Sequence, residues 1–247
     1  MKYITKYKSP NYNSRNNSKI KLIIIHYTAL KNTTEAISYL CNKGTKVSSH
    51  YLISPDGTVY NLVNDKFFLA ASTHEGEEEI IIESYIKLLD DFPDLKIIIV
   101  PRHPERTDEI LKISREMGIC SEAAKEIPVA FDLNDVIIIN ATGILKKLYS
   151  IANVSFIGGS LLSKYGGHNV IEAAYNKCAF IVGPNYKNFE DIINLFQSSH
   201  GCILLEDPSE LSSAFKELLN NDELRANLID NAYEVVLENQ GSSDVQY

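Results

Sequence analysis

The stretch that most directly offers chemistry runs from Gly158-Gly159 to Gly166-Gly167-His168-Asn169 and on into Val170-Ile171-Glu172. Glycines let a backbone come close to a ligand, and the first amides of a helix hold an anion. The segment Pro101-Arg102-His103-Pro104-Glu105-Arg106 adds two guanidinium groups, Arg102 and Arg106, whose planar fork suits a phosphate. Ala141-Thr142-Gly143 and the run His74-Glu75-Gly76-Glu77-Glu78-Glu79 complete a set of four such segments. Taken together they read as a site for a phosphate-bearing ligand. Each also has a plainer reading. Asn169 with Glu172 three residues later is a helix-capping pattern. Pro104 suits a first helical turn, with the arginines facing solvent. The glycines would then serve tight turns only. Glu75, Glu77, Glu78 and Glu79 read as a solvated first turn, since acidic residues suit a helix N-terminus, with His74 facing the cleft.

The elements that must carry these segments follow from the hydrophobic pattern. After residue 66, the short apolar runs FFLAAS, LKIIIV, DVIIIN, VSFIGG, AFIVG and CILLE alternate with helical stretches such as EEEIIIESYIKLLDDF and PERTDEILKISREMG. That alternation predicts an α/β fold, a parallel sheet with helices on both faces. The closing stretches SELSSAFKELLNN and DELRANLIDNAYEVVLENQ are expected as helices packed on the sheet's edge. In such a sheet the ligand crevice lies at the carboxyl ends of the strands, and each of the four segments follows a strand. Residues 1–66 have another rhythm. KIKLIIIHYTA predicts a strand, TTEAISYLCNK a helix ending at Gly44, and VSSHYLIS and TVYNLV a hairpin turning at Pro55-Asp56-Gly57. A β-α-β-hairpin unit of that size buries little surface by itself.

Charge divides the chain at the same place. Its 247 residues carry 24 basic and 32 acidic side chains, a net charge of −8 that argues against a nucleic-acid partner. Residues 1–66 hold 10 Lys and Arg against 3 Asp and Glu, whereas residues 67–247 hold 14 against 29. The domain expectation is accordingly 1–66 and 67–247. Cys41, Cys120, Cys178 and Cys202 are widely spaced with no CxxC pair, which signals neither a disulfide framework nor a thiolate metal site. With no signal-peptide pattern and no apolar run of about 18 residues, the expected location is cytoplasmic, at most peripheral to a membrane surface.

The residues from FFLAASTHEGEEE to PRHPER, and from IANVSFIGGSLLSKYGGHNVIEAA to NYKNFEDI, resemble the C-terminal half of 3-deoxy-D-manno-octulosonic acid (Kdo) transferases. These are two-domain GT-B glycosyltransferases of lipopolysaccharide synthesis that move Kdo from CMP-Kdo to lipid A precursors at the inner face of the inner membrane. The resemblance implies a Rossmann-like donor domain over 67–247, with no cofactor. It places CMP contacts on Pro101 and Arg102, on Thr142, Gly143 and Ile144, and on Asn169, Val170, Ile171 and Glu172. Arg102 would neutralise phosphate and Glu172 would accept ribose hydroxyls. The family usually carries an acidic residue where this chain has Ile144. Its catalytic base belongs to the other domain, so no catalytic residue is expected here, and a lipid A precursor is a partner only if that domain is supplied. KIKLIIIHYTA and VSSHYLISPDGTVYNLV resemble instead the opening of a zinc-dependent N-acetylmuramoyl-L-alanine amidase of peptidoglycan turnover. That likeness maps one zinc ligand onto His26, while His50 falls in a strand motif without a ligand role. Zinc is expected only if the amidase ligand set were complete. The combined expectation is a truncated amidase start joined to a donor-binding half, impaired in transfer. The alternatives are an amidase fragment and a non-enzymatic remnant.

Overall fold

A computed structural model describes residues 3–4, 30, 32–45, 51–56, 58–61, 67–93, 95–126 and 136–240. The chain divides into two compact units, Met1–Asp65 and Lys66–Tyr247. In the smaller, β1 (Tyr3–Ile4), α1 (Thr33–Leu40), β2 (Tyr51–Ile53) and β3 (Val59–Asn61) follow in order. β2 and β3 form the expected antiparallel hairpin, and β1 pairs parallel to β3, a strand the sequence did not announce. Asn32 starts α1 by accepting the Glu35 N–H at 2.9 Å, and Asp56 closes the hairpin by accepting the Thr58 N–H at 3.0 Å. Ala36, Ile37 and Leu52 form a small core. His26 and His50, and the strand expected over 19–29, lie outside the described residues.

The larger unit runs β4 (Phe67–Thr73), α2 (Glu77–Leu88), β5 (Lys96–Pro101), α3 (Thr107–Glu116), β6 (Ser121–Ala124), β7 (Val136–Ile139), α4 (Leu145–Tyr149) and β8 (Val154–Ile157). It continues through α5 (Ile171–Tyr175), β9 (Phe180–Val182), α6 (Glu190–Ser198), β10 (Ile203–Leu204), α7 (Leu211–Asn220) and α8 (Asp222–Gln240). The strands form one sheet in the order β10-β9-β8-β4-β5-β7-β6, and all its pairings are parallel. Near-continuous apolar strands make sense here because both faces are covered. Phe68, Ala70, Ile97, Ile99, Val136, Ile138 and Phe156 face one core, shared with α2, α3 and α7. Leu69, Ala71, Ile98, Val100, Ile137, Ile139 and Ile157 face the other, shared with α4, α5 and α6. One residue's step along a strand therefore moves a side chain from one core to the other.

Two expectations need correction. The closing helices do not sit on the sheet's edge. α7 lies across the first face, where Phe215 stacks on Phe68 of the central strand with ring centroids 4.2 Å apart. α8 sends Leu228 to that core and Ala232, Val235 and Val236 to the second. The sheet also has a seventh strand, β6, whose Ser-Glu-Ala-Ala sequence is half-exposed at an edge and so carries no apolar signal. No helix among the described residues is long and apolar enough to cross a membrane.

Candidate functional site

Chain order and strand order disagree at one place. From β4 the chain adds strands on the β5 side, then returns to lay β8 against the other flank of β4. Where neighbouring strands send their following loops in opposite directions, a crevice opens at their carboxyl ends. The loops after β4, β5, β7 and β8 bring the four predicted segments to that edge.

Glu77 joins two of these loops. It is fully buried, and its carboxylate accepts N–H bonds from His74 at 3.0 Å, Gly159 at 2.7 Å and Leu161 at 2.9 Å. Burial raises its pKa, and the bonds from Gly159, Leu161 and His74 oppose that rise. Glu78 is also fully buried, accepts the Thr73 hydroxyl at 2.9 Å and pairs with Arg106 at 2.7 Å. Burial outweighs the pull of Arg106 and pushes its carboxyl up to about 7. The expected solvated acidic turn is therefore wrong for Glu77 and Glu78, because the β8 loop and the start of α3 fold over them. Glu75 does face solvent, 3.5 Å from Lys164. Arg106, expected as a phosphate countercharge, is held by Glu78 on one side and by Glu109 at 3.1 Å on the other. Its guanidinium is committed to protein carboxylates.

Arg102 is exposed, and its backbone N–H bonds the Thr73 carbonyl at 2.9 Å, which fixes the loop after β5 against β4. Pro101, Arg102, Thr142, Gly143 and Ile144 converge with Ser72 on one cavity of about 80 Å³. Ile144 and Leu145 share a core cluster with Val170 and Ala173, so the segment Asn169–Glu172 stands beside that cavity rather than in its wall. Asn169, Ile171 and Glu172 are exposed. Val170 is buried, which leaves only its main chain to meet a ligand.

The glycine segment departs from expectation in two ways. A Cβ at Gly158 would overlap the Ser72 carbonyl, and one at Gly159, whose φ is +70°, would crowd the His168 ring at 3.1 Å. Gly166 and Gly167 meet Asn188 and Tyr186 in the same manner. These residues are small because neighbouring protein packs closely on them. The helix that follows the glycines begins only at Ile171 and has five residues; Asn169 Oδ1 accepts its Ile171 N–H at 2.9 Å. So short a helix contributes little dipole.

Sequence reasoning missed a histidine cluster at the crevice. His74 and His168 place their Nε2 atoms 2.7 Å apart, with ring planes only 15° from parallel. Tyr165 stacks on His74 at 4.0 Å, and His103 meets it edge-on at 5.8 Å. Burial, then the charges of His168, His103, Arg102 and Arg106, pulls the His74 pKa down to about 4. His168 is lowered by burial and by Arg102 and His103. The His-x-x-Glu spacing of His74 and Glu77 was the one available signal, since Glu77, at the start of α2, accepts the His74 N–H. Nothing in the sequence announced His168 as its neighbour. Among the described residues, no group of three His, Cys, Asp or Glu is placed to hold a metal ion.

Comparison with known proteins gives two likenesses. The N-acetylmuramoyl-L-alanine amidase family model matches residues 16–84. The 3-deoxy-D-manno-octulosonic acid transferase of Haemophilus influenzae is 35% identical over 178 residues, 71% of this chain and 41% of that protein. The corresponding transferase of Rickettsia typhi is 35% identical over 184 residues, 73% of this chain and 39% of that one. The chain thus spans about two-fifths of the length of these curated relatives. A crystal structure of the C-terminal CMP-Kdo binding domain of WaaA from Acinetobacter baumannii matches with a TM-score of 0.66 at 29% identity, covering 70% of this chain and 90% of that one. The fold is that of a GT-B glycosyltransferase C-terminal domain, and the sequence relatives over most of the chain are glycosyltransferases.

Proposed function

We propose that residues 67–247 bind a CMP-sugar acid of the CMP-Kdo type. The observation that carries this reading is the likeness, over nine-tenths of its length, to a domain named for binding CMP-Kdo. The cavity at the ends of β5 and β7 supports it. In this reading Pro101, Thr142, Gly143 and Ile144 bound the nucleoside, and exposed Arg102 meets the phosphate with two parallel N–H bonds. Asn169 and Glu172 turn polar groups toward the ribose beside the cavity, with Val170 and Ile171 contributing main-chain contacts. Ile144 offers only hydrophobic contact and its amide.

Transfer would belong to lipid A–Kdo synthesis, with a lipid A precursor as acceptor. It requires a base held against the acceptor hydroxyl, because proton removal at the attacking oxygen is part of the barrier. In this reading residues 67–247 hold the donor, and transfer depends on a base that another domain supplies. Calorimetry with CMP tests the binding claim. Wild type should give saturable heat, and Arg102→Ala should bind roughly 10–100-fold more weakly, the loss of a charge-assisted contact. Absence of heat with the wild type would sink it. The amidase match supports a second reading for the smaller unit, a zinc site that includes His26. Metal analysis of the purified chain decides that one: a zinc content far below one per chain removes it.

A further inference from the structure

The contact between His74 and His168 constrains how protons can be held at the crevice. Two Nε2 atoms 2.7 Å apart have room for one hydrogen between them, so one ring donates and the other accepts. Neither Nδ1 bonds another described residue. A proton added to the donor ring at Nδ1 makes it an imidazolium whose Nε2–H still donates, and the hydrogen bond becomes charge-assisted. A second added proton would put two hydrogens between the Nε2 atoms and break the contact. The pair can therefore carry one positive charge, and only one, without rearranging.

Its surroundings decide when that happens. Arg102, Arg106 and His103 act on His74 as like charges, and Arg102 and His103 act on His168. Of the nearby carboxylates, Glu77 is held by three main-chain amides and Glu75 lies against Lys164, Glu105 stands 3.6 Å from His103, and Glu78 gives one oxygen to Arg106 and Thr73 while its other oxygen is buried without a partner. Tyr165 covers the ring of His74 without supplying charge. Among the described residues no carboxylate bonds either ring, and burial together with the neighbouring cations disfavours the charged form of both histidines. An anionic oxygen arriving beside Arg102 would reverse the local field and favour the imidazolium. The pair also stands between the loops after β4 and β8, the strands flanking the topological switch point.

We propose that His74 and His168, with Arg102 and His103 beside them, form a proton-coupled anion subsite. On binding, the pair takes one proton from solvent as the ligand's anionic oxygens settle against it, and it returns that proton to solvent when they leave. The inference rests on the donor-binding reading above and goes beyond it, since it assigns His74, His103 and His168, which lie outside the nucleoside cavity, to the donor's charged end. Two donor groups share the required chemistry, the phosphate and the sugar-acid carboxylate.

Proton NMR of the histidine Cε1–H signals in the full chain tests this, with His74→Gln and His168→Gln used to assign resonances. The chain is titrated alone, with cytidine, with CMP, and with CMP plus free Kdo. The pair's midpoint should rise by about one pH unit, a tenfold preference for the charged form, with CMP but not with cytidine if phosphate is the group. If the carboxylate is the group, the rise should need Kdo as well. Calorimetry in buffers of different ionisation heat should show proton uptake, and His168→Gln should weaken binding and lose that uptake. Saturable CMP binding with an unmoved midpoint in both the CMP and the CMP-plus-Kdo arms would overturn the inference and leave the donor reading standing. No binding of CMP at all would remove both.

Discussion

Removing the Glu77 carboxylate should loosen the site from beneath without touching its ligand-facing groups. In Glu77→Ala three buried N–H groups, those of His74, Gly159 and Leu161, lose their acceptor. An unsatisfied buried donor costs about 1–3 kcal/mol, so three could cost up to roughly 9. Two effects reduce that sum. The variant is relieved of burying a carboxylate whose ionised form is already disfavoured by desolvation, and water can enter the space left behind. A net loss of about 3–4 kcal/mol is expected, a large part of the roughly 5–15 kcal/mol that holds a domain together. Glu77→Gln keeps one acceptor oxygen. Placed at the Oε2 position it retains the His74 and Gly159 bonds and turns its NH₂ against the Leu161 N–H, so a loss nearer 1–2 kcal/mol follows. Urea unfolding followed by far-UV circular dichroism reads this directly, most of the helix being in the larger unit. With a slope of about 2 kcal/mol per molar, the Ala midpoint should fall by about 1.5–2 M and the Gln midpoint by under 1 M. Amide exchange at Gly159 and Leu161 should quicken ahead of the core. An Ala midpoint within about 0.2 M of wild type would refute the role of Glu77 as the tie between the two loops.

Two further outcomes follow from particular contacts. Glu78 and His74 should give opposite pH dependences of stability. With the Glu78 carboxyl raised from 4.5 to about 7, the folded chain keeps a proton the unfolded chain has released, so stability falls as pH rises through that window. With His74 lowered from 6.5 to about 4, the unfolded chain binds a proton the folded chain refuses, so stability falls as pH drops from 6.5 toward 4. Urea midpoints of Glu78→Gln should therefore climb with pH between 4 and 7, and those of His74→Gln should decline; two variants that both keep the wild-type curve would contradict this. Gly158→Ala sets a Cβ against the Ser72 carbonyl, while Gly118→Ala, at φ +78°, meets open space and bears backbone strain alone. The first should cost about 2–3 kcal/mol and the second about 1, a difference visible in thermal melts. A Gly158→Ala chain melting no lower than Gly118→Ala would show that the strands there can part.

Hydrophobic pattern was enough to set the class of the larger unit. Runs such as LKIIIV and AFIVG are too short for helices and apolar on both sides, and only a strand covered on both faces suits them. It also determined which loops share an edge, because in a parallel sheet every strand's carboxyl end points the same way. Pro101, Arg102, Thr142, Gly143 and Ile144 thus met on one cavity as their positions in the chain required. Strand order was not legible, since nothing in the local pattern tells β8 to turn back to the far flank of β4, and that return creates the crevice. Nor was the fate of the charges. Glu77 and Glu78 read as solvated because acidic residues suit a first helical turn; they are buried because amides 82 and 84 residues away, and a guanidinium 28 away, fold over them. The same long-range closure took Arg106 from the ligand and set His168 against His74, 94 residues apart. Local pattern fixes which groups are offered at an edge, but burial and electrostatic pairing depend on what distant parts of the chain bring to them once it is folded.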